Sequence, residues 1–75
     1  MTREEVLAVI KNASIGGWAV NKADILNELG LDDTKYYKNA IDKILTGLKE
    51  EGIIATYQIY DEDEGTFGGR GYALT

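Results

Sequence analysis

The densest group of chemically capable side chains is an acidic run near the C-terminus. It comprises Asp61, Glu62, Asp63 and Glu64. Asp61 and Asp63 have the spacing of the first two ligands of a calcium-binding loop. The pattern then fails, because Gly65 stands at the third ligand position, Thr66 replaces the required glycine and Tyr72 replaces the closing glutamate. We expect no metal site here, and interpret the run either as a solvated loop or as a surface for a basic protein partner.

Catalytic chemistry has few other residues available to it. The chain contains no cysteine and no histidine, which removes disulfides, thiol nucleophiles and the commonest ligands of zinc and iron–sulfur clusters. No serine lies near a plausible general base, and the carboxylates cluster in segments typical of exposed loops. We therefore expect a protein that is not an enzyme and that uses no cofactor.

Three amphipathic helices account for the first two thirds of the chain. Thr2 and Glu5 form a capping-box pattern before a helix predicted over Arg3 to Asn12. The glycines at 16 and 17 should break that helix, and the apolar Trp18 to Val20 should form a minor strand in which Trp18 anchors the sheet against the helices. A second helix is predicted over Lys22 to Leu29, before Gly30.

The third helix is the longest in the pattern. We expect Asp32 or Asp33 to cap it and Gly52 to follow its end. Its apolar positions recur every three or four residues and should face the core. They are Tyr37, Ala40, Ile41, Ile44, Leu45 and Leu48.

After Gly52 the hydrophobic period changes to two, which predicts a strand from Ile53 to Tyr60. The charged and glycine-rich segment Asp61 to Gly69 is typical of an exposed turn. Arg70 to Thr75 should return as the partner strand, with Tyr72 and Leu74 on one face. The sequence therefore predicts two antiparallel strands joined by a long turn.

Length and charge limit the possible functions. Seventy-five residues suffice for one domain, 1–75, and the net charge of −5 with a pI of about 4.5 argues against general electrostatic wrapping of nucleic acid. Five of the eight basic residues nevertheless lie between Lys22 and Lys49. The N-terminus shows no signal segment, so we expect a cytoplasmic protein without membrane attachment.

Two stretches resemble a known family. The stretch Leu45 to Ile54 looks like the end of the recognition helix and the first wing strand of small bacterial, archaeal and phage winged helix-turn-helix regulators. Arg70 to Thr75 is similar to their returning wing strand, and Ala23 to Gly30 to their second helix. The resemblance implies an α+β winged helix, a three-helix bundle with a small antiparallel sheet and a β-hairpin wing. The connection from Gly30 to Ala40 is longer than in compact members.

The resemblance also implies a role in binding duplex DNA, with the third helix in the major groove and the wing near the backbone. The apolar stripe turns a polar, mildly basic set of side chains outward, and the wing supplies a further cation. These candidate DNA-binding residues are Lys35, Tyr36, Asn39, Lys43, Thr46 and Arg70. A small transcriptional regulator, acting as a homodimer on two half-sites, would use them in this way.

Two alternatives stay open on the sequence alone. Any solvated helix face carries such residues without binding anything. The acidic run 61–64 would repel a phosphate strand, so the hairpin points away from DNA, or the third helix binds alone, or the wing meets a basic protein. In the last case the protein is an interaction module that uses Asp61, Glu62, Asp63 and Glu64.

Overall fold

Side-chain caps start the first helix at the expected residue. The computed structural model describes residues 1–61 and 66–75, with backbone alone over 59–61 and 66–68. Helix α1 spans Arg3–Ile15, and its capping box is confirmed. The Thr2 hydroxyl accepts from the Glu5 amide at 3.2 Å, and the Glu5 carboxylate accepts from the Thr2 amide at 2.9 Å. The helix continues three residues beyond the predicted Asn12, and the Ser14 hydroxyl donates to the Ile10 carbonyl at 2.8 Å.

Helix α2 spans Lys22–Glu28 and helix α3 spans Lys35–Glu50. A second capping box joins Asn21 and Asp24 at 2.7 and 3.2 Å. The prediction that Asp32 or Asp33 caps α3 is wrong. The Thr34 hydroxyl caps it by accepting from the Tyr37 amide at 3.3 Å.

Strands β1 (Ile54–Asp61) and β2 (Thr66–Leu74) form a two-stranded antiparallel sheet. The predicted turn over Asp61 to Gly69 is wrong at both ends, because Asp61 and Thr66–Gly69 belong to the strands. Backbone pairing needs no apolar side chain, so a glycine-rich segment can still form a ladder. The predicted minor strand reduces to one bridge, between Val20 and Tyr72.

The core lies where the three helices meet the base of the hairpin. Among the side chains that the structure describes, eight apolar ones are buried there, and Tyr72 and Leu74, predicted to share one face of their strand, both pack against them. The buried residues are Val6, Ile10, Ile25, Leu26, Ile41, Leu45, Leu48 and Ile54. Burying a side chain of this kind contributes roughly 1.5–3 kcal/mol, so these residues are the main source of stability in a chain without disulfides.

Trp18 does not anchor the sheet, which corrects the prediction from the sequence. Its side chain is 70% exposed, and the ring lies against Gly16 at the end of α1. The Trp18 amide donates to the Ala13 carbonyl at 2.8 Å, which holds the residue on the outside of the helix end. The bridge between Val20 and Tyr72 joins the loop to the sheet instead.

The element order is three helices followed by a hairpin, which makes the fold α+β and compatible with the winged-helix order. Helices and hairpin share one core through Ile54. Among the described residues, every helix is too short or too polar to cross a bilayer.

Candidate nucleic-acid interface

The outward face of α3 presents the five helix residues proposed from the sequence. Each of them is exposed, and Tyr36 is exposed to 75%. They are Lys35, Tyr36, Asn39, Lys43 and Thr46. They are exposed because they lie on the side of α3 opposite Ile41, Leu45 and Leu48, which are buried against the other elements. The helical period of 3.6 residues per turn places the two sets on opposite sides.

This face differs in charge from the chain as a whole. Helix α3 contains four lysines and two acidic residues, although the chain carries a net charge of −5. One of the two acids, Asp42, is ion-paired with Lys22 of α2. Among the residues that the structure describes, Lys35 and Lys43 form no ion pair. Both charges on the outward face are therefore available to an anionic partner.

The exposed side chains surround a shallow depression of about 470 Å³ on α3. Tyr36, Asn39 and Lys43 line it together with Ala40 and Ile44. The Tyr36 ring packs edge-on against Tyr37, with ring centroids 5.1 Å apart and planes at 78°. Since Tyr37 packs against the core, this contact restricts the orientation of an otherwise exposed ring.

Arg70 does not border the depression that Tyr36, Asn39 and Lys43 line. It is exposed on β2, opposite Gln58 in the register, and borders a groove of about 400 Å³ between the hairpin and the starts of α2 and α3. Lys22 and Lys38 border the same groove, and Asp33 pairs with Lys38 at 3.3 Å. The role of these two lysines in the groove could not be predicted from the sequence, because their proximity to Arg70 depends on the packing of three elements.

The charge state of Lys22 is fixed by its partner. The hydrogen bond to the Asp42 side chain raises the pKa of Lys22 above its usual 10.5, although partial burial and the charge of Arg70 oppose this. Lys22 is thus fully charged at neutral pH and is held between α2 and α3. The groove gathers three cations around one carboxylate.

The acidic run lies outside this description. Glu62, Asp63 and Glu64 are not among the described residues, and Asp61 is described by its backbone alone. In the remaining part of the chain no three acidic side chains come together in a way that could hold a metal ion.

Comparison with known proteins gives no relative on which to base a function. The chain matches no protein family, no curated protein and no solved structure among those compared. The class of the protein therefore rests on its own coordinates, three helices and a two-stranded antiparallel sheet. The function has to be argued from the surface of α3.

Proposed function

We propose that this protein is a winged-helix module that binds duplex DNA and inserts α3 into the major groove. The observation that supports the proposal is the outward face of α3, which is polar, exposed and mildly basic in an acidic chain. An α-helix fits the major groove of B-form DNA, and its exposed side chains then reach the base edges.

The chemistry of the face suits both bases and phosphates. The Asn39 amide can accept from and donate to one adenine, and the Lys43 ammonium can donate to the acceptors of guanine. The Tyr36 hydroxyl and the Lys35 ammonium suit phosphate oxygens, which orient the protein without specifying sequence. Such a division of contacts is typical of a sequence-specific regulator.

The cations bordering the second groove extend this surface past the start of α3. Arg70 and Lys22 border that groove together with Lys38, whose position on α3 brings the groove beside the outward face. A phosphate strand running past the start of α3 would contact these cations one after another, so Arg70 binds a phosphate in this proposal. In full, we propose that the protein is a small cytoplasmic transcriptional regulator.

Binding can be tested by fluorescence anisotropy with a labelled random duplex at about 50 mM salt. The informative variant is Lys35→Gln with Lys43→Gln, and the matched control is Lys11→Gln with Lys49→Gln. Both doubles remove two exposed lysine charges, but the control removes one from α1 and one from the last turn of α3. We expect the first double to weaken binding about tenfold or more and to lower the salt slope by roughly 0.9, because Lys35 is the one proposed phosphate contact that it removes.

The control double should bind nearly as the unmodified protein does. Equal loss in both doubles would mean that only total charge matters, and the role of α3 would then be wrong. If the unmodified protein shows no binding tighter than the ~10⁻⁴ M limit of non-specific contact, DNA is not its partner. A protein partner for the run 61–64 would then be the remaining prediction from the sequence.

A further inference from the structure

The outward face of α3 has two flanks of different chemistry. Polar side chains, Lys35 and Thr46, lie on one flank, whereas the other flank is apolar. The apolar flank consists of Tyr36, Ala40 and Ile44, which follow one another at intervals of four residues and so lie along one side of the helix. Contacts with phosphates and polar base edges explain the polar side chains but leave the apolar flank without a role.

This apolar flank forms one side of the shallow depression of about 470 Å³, and Asn39 and Lys43 line the other side. Ala40 and Ile44 are only partly buried. Within residues 1–61 and 66–75, every residue that lines the depression belongs to α3. The described part of the fold therefore leaves this apolar surface uncovered.

The Tyr36 ring is held in place beside the depression although it is 75% exposed. Its edge-on contact with Tyr37, at 5.1 Å between ring centroids, restricts its orientation, and Tyr37 is itself packed against the core. A side chain that is already ordered loses little freedom when a partner binds. The ring is thus a preformed apolar contact.

Gly47 lies on the same side of α3, one turn beyond Lys43. Its backbone is helical, and a Cβ at this position would have no atom of another described residue within 4 Å, so neither conformation nor packing requires a glycine. Glycine inside a helix is less stable than alanine. A glycine here permits another surface to approach the backbone of α3 closely.

We propose that the depression binds the 5-methyl group of thymine, so that the protein prefers sites that contain A·T pairs. The inference rests on the proposed function, in which α3 enters the major groove. The thymine methyl is the apolar group that base edges present in that groove. Tyr36, Ala40 and Ile44 supply apolar contacts for it, and the neighbouring Asn39 can hydrogen-bond an adenine.

Charge favours DNA over an apolar protein surface as the occupant. Lys43 lines the depression and Lys35 lies across the outward face, and neither has an ion pair among the described residues. An anionic surface is attracted to these two charges, whereas an apolar partner would have to desolvate them without compensation. A base edge between two phosphate strands offers both the negative charge and the methyl group.

The test compares two duplexes that differ only in the methyl group. One is an alternating adenine–thymine duplex, and the other carries uracil at every thymine position. Fluorescence anisotropy at low salt measures the dissociation constant for each. We expect the unmodified protein to bind the thymine duplex about fourfold more tightly, which is the effect of burying roughly one methyl group.

The informative variant is Tyr36→Ser, and the matched control is Lys35→Gln. Both change an exposed side chain in the first turn of α3, but only Tyr36 lines the depression. Tyr36→Ser should bring the ratio of the two dissociation constants below about twofold, because the ring contact with the methyl is lost. Lys35→Gln should weaken binding to both duplexes by the same factor and leave the ratio unchanged. Far-ultraviolet circular dichroism verifies that both variants are folded.

Equal binding of the two duplexes by the unmodified protein would overturn the thymine proposal and leave the proposed function standing. A ratio that Tyr36→Ser leaves unchanged, or that Lys35→Gln lowers equally, would have the same consequence, because the preference would then not come from the depression. Binding to neither duplex would overturn the proposed function and the thymine proposal together.

Discussion

Helix α3 and strand β1 are neighbours in the chain, separated by the left-handed Gly52 at φ 74°, yet they expose different chemistry. Helix α3 satisfies its own backbone and exposes side chains, three of which are lysines without an ion pair among the described residues, Lys35, Lys43 and Lys49. Among the described side chains of β1, Tyr57 and Gln58 are exposed and carry no charge. The first surface suits a partner with negative charge, and the second has no charge with which to attract one.

The two elements also differ in how they hold the fold together. Helix α3 contributes the buried Ile41, Leu45 and Leu48, whereas β1 contributes only Ile54 among its side chains from 54 to 58, the ones that the structure describes. Beyond Ile54, pairing with β2 accounts for the position of β1. Substitutions at the buried positions of α3 should therefore lower global stability more than substitutions at the exposed positions of β1.

The largest expected effect comes from Leu45→Ala. Leu45 is 2% exposed in the centre of the core, so truncation should lower the free energy of unfolding by about 2–5 kcal/mol. Tyr57→Ala on the half-exposed edge should cost less than about 1 kcal/mol. Urea denaturation measures the change in the free energy of unfolding for both variants. Similar losses in the two variants would contradict the division between α3 and β1.

A smaller effect is expected at the start of α3. Thr34→Ala removes the hydroxyl that accepts from the Tyr37 amide and should cost about 1 kcal/mol. Thr46→Ala is the matched control, because the same change in the exposed middle of the same helix should be neutral or slightly stabilising. If Thr34→Ala leaves the free energy of unfolding unchanged, the Thr34 hydroxyl does not stabilise the start of α3, and Asp32 or Asp33 would be the cap instead.

The smallest effect concerns the ion pair between Lys22 and Asp42. Both side chains are nearly half exposed, so Lys22→Gln should cost less than about 1 kcal/mol at neutral pH. Because folding raises the pKa of Lys22, the contribution is complete below 10.5 and is lost as pH rises through the higher folded value. The difference in stability between the unmodified chain and Lys22→Gln should therefore shrink above pH 10.5. A difference in stability that grows above pH 10.5 would contradict the prediction that folding raises the pKa of Lys22.

The helices could be predicted from the sequence because their signals are local. The capping boxes at Thr2 and Asn21 each act over three residues, and the period of α3 identifies its buried and exposed sides. The cap of α3 could not be chosen, since Asp32, Asp33 and Thr34 are all suitable residues. In the structure Thr34 supplies the cap, since its hydroxyl accepts from the Tyr37 amide.

The hairpin and the second groove were less predictable because distant residues determine them. The Leu74 amide bonds to Ser14, sixty residues away, and Val20 pairs with Tyr72. The exposure of Trp18 follows from the same loop packing. The exposure of the five α3 residues could be predicted because helical periodicity is a local signal. The grouping of Lys22 and Lys38 with Arg70 could not, because it depends on residues that are distant in the chain.

Mapping DNA contacts on the protein by NMR tests the central proposal most directly. A short duplex is titrated into the ¹⁵N-labelled chain at low salt, and the amide shifts are followed residue by residue. We expect the largest changes at Tyr36, Asn39 and Lys43, with smaller ones at Arg70 and none along the exposed face of α1. Shifts confined to β1 or to 61–64, or no shifts at all, would contradict it.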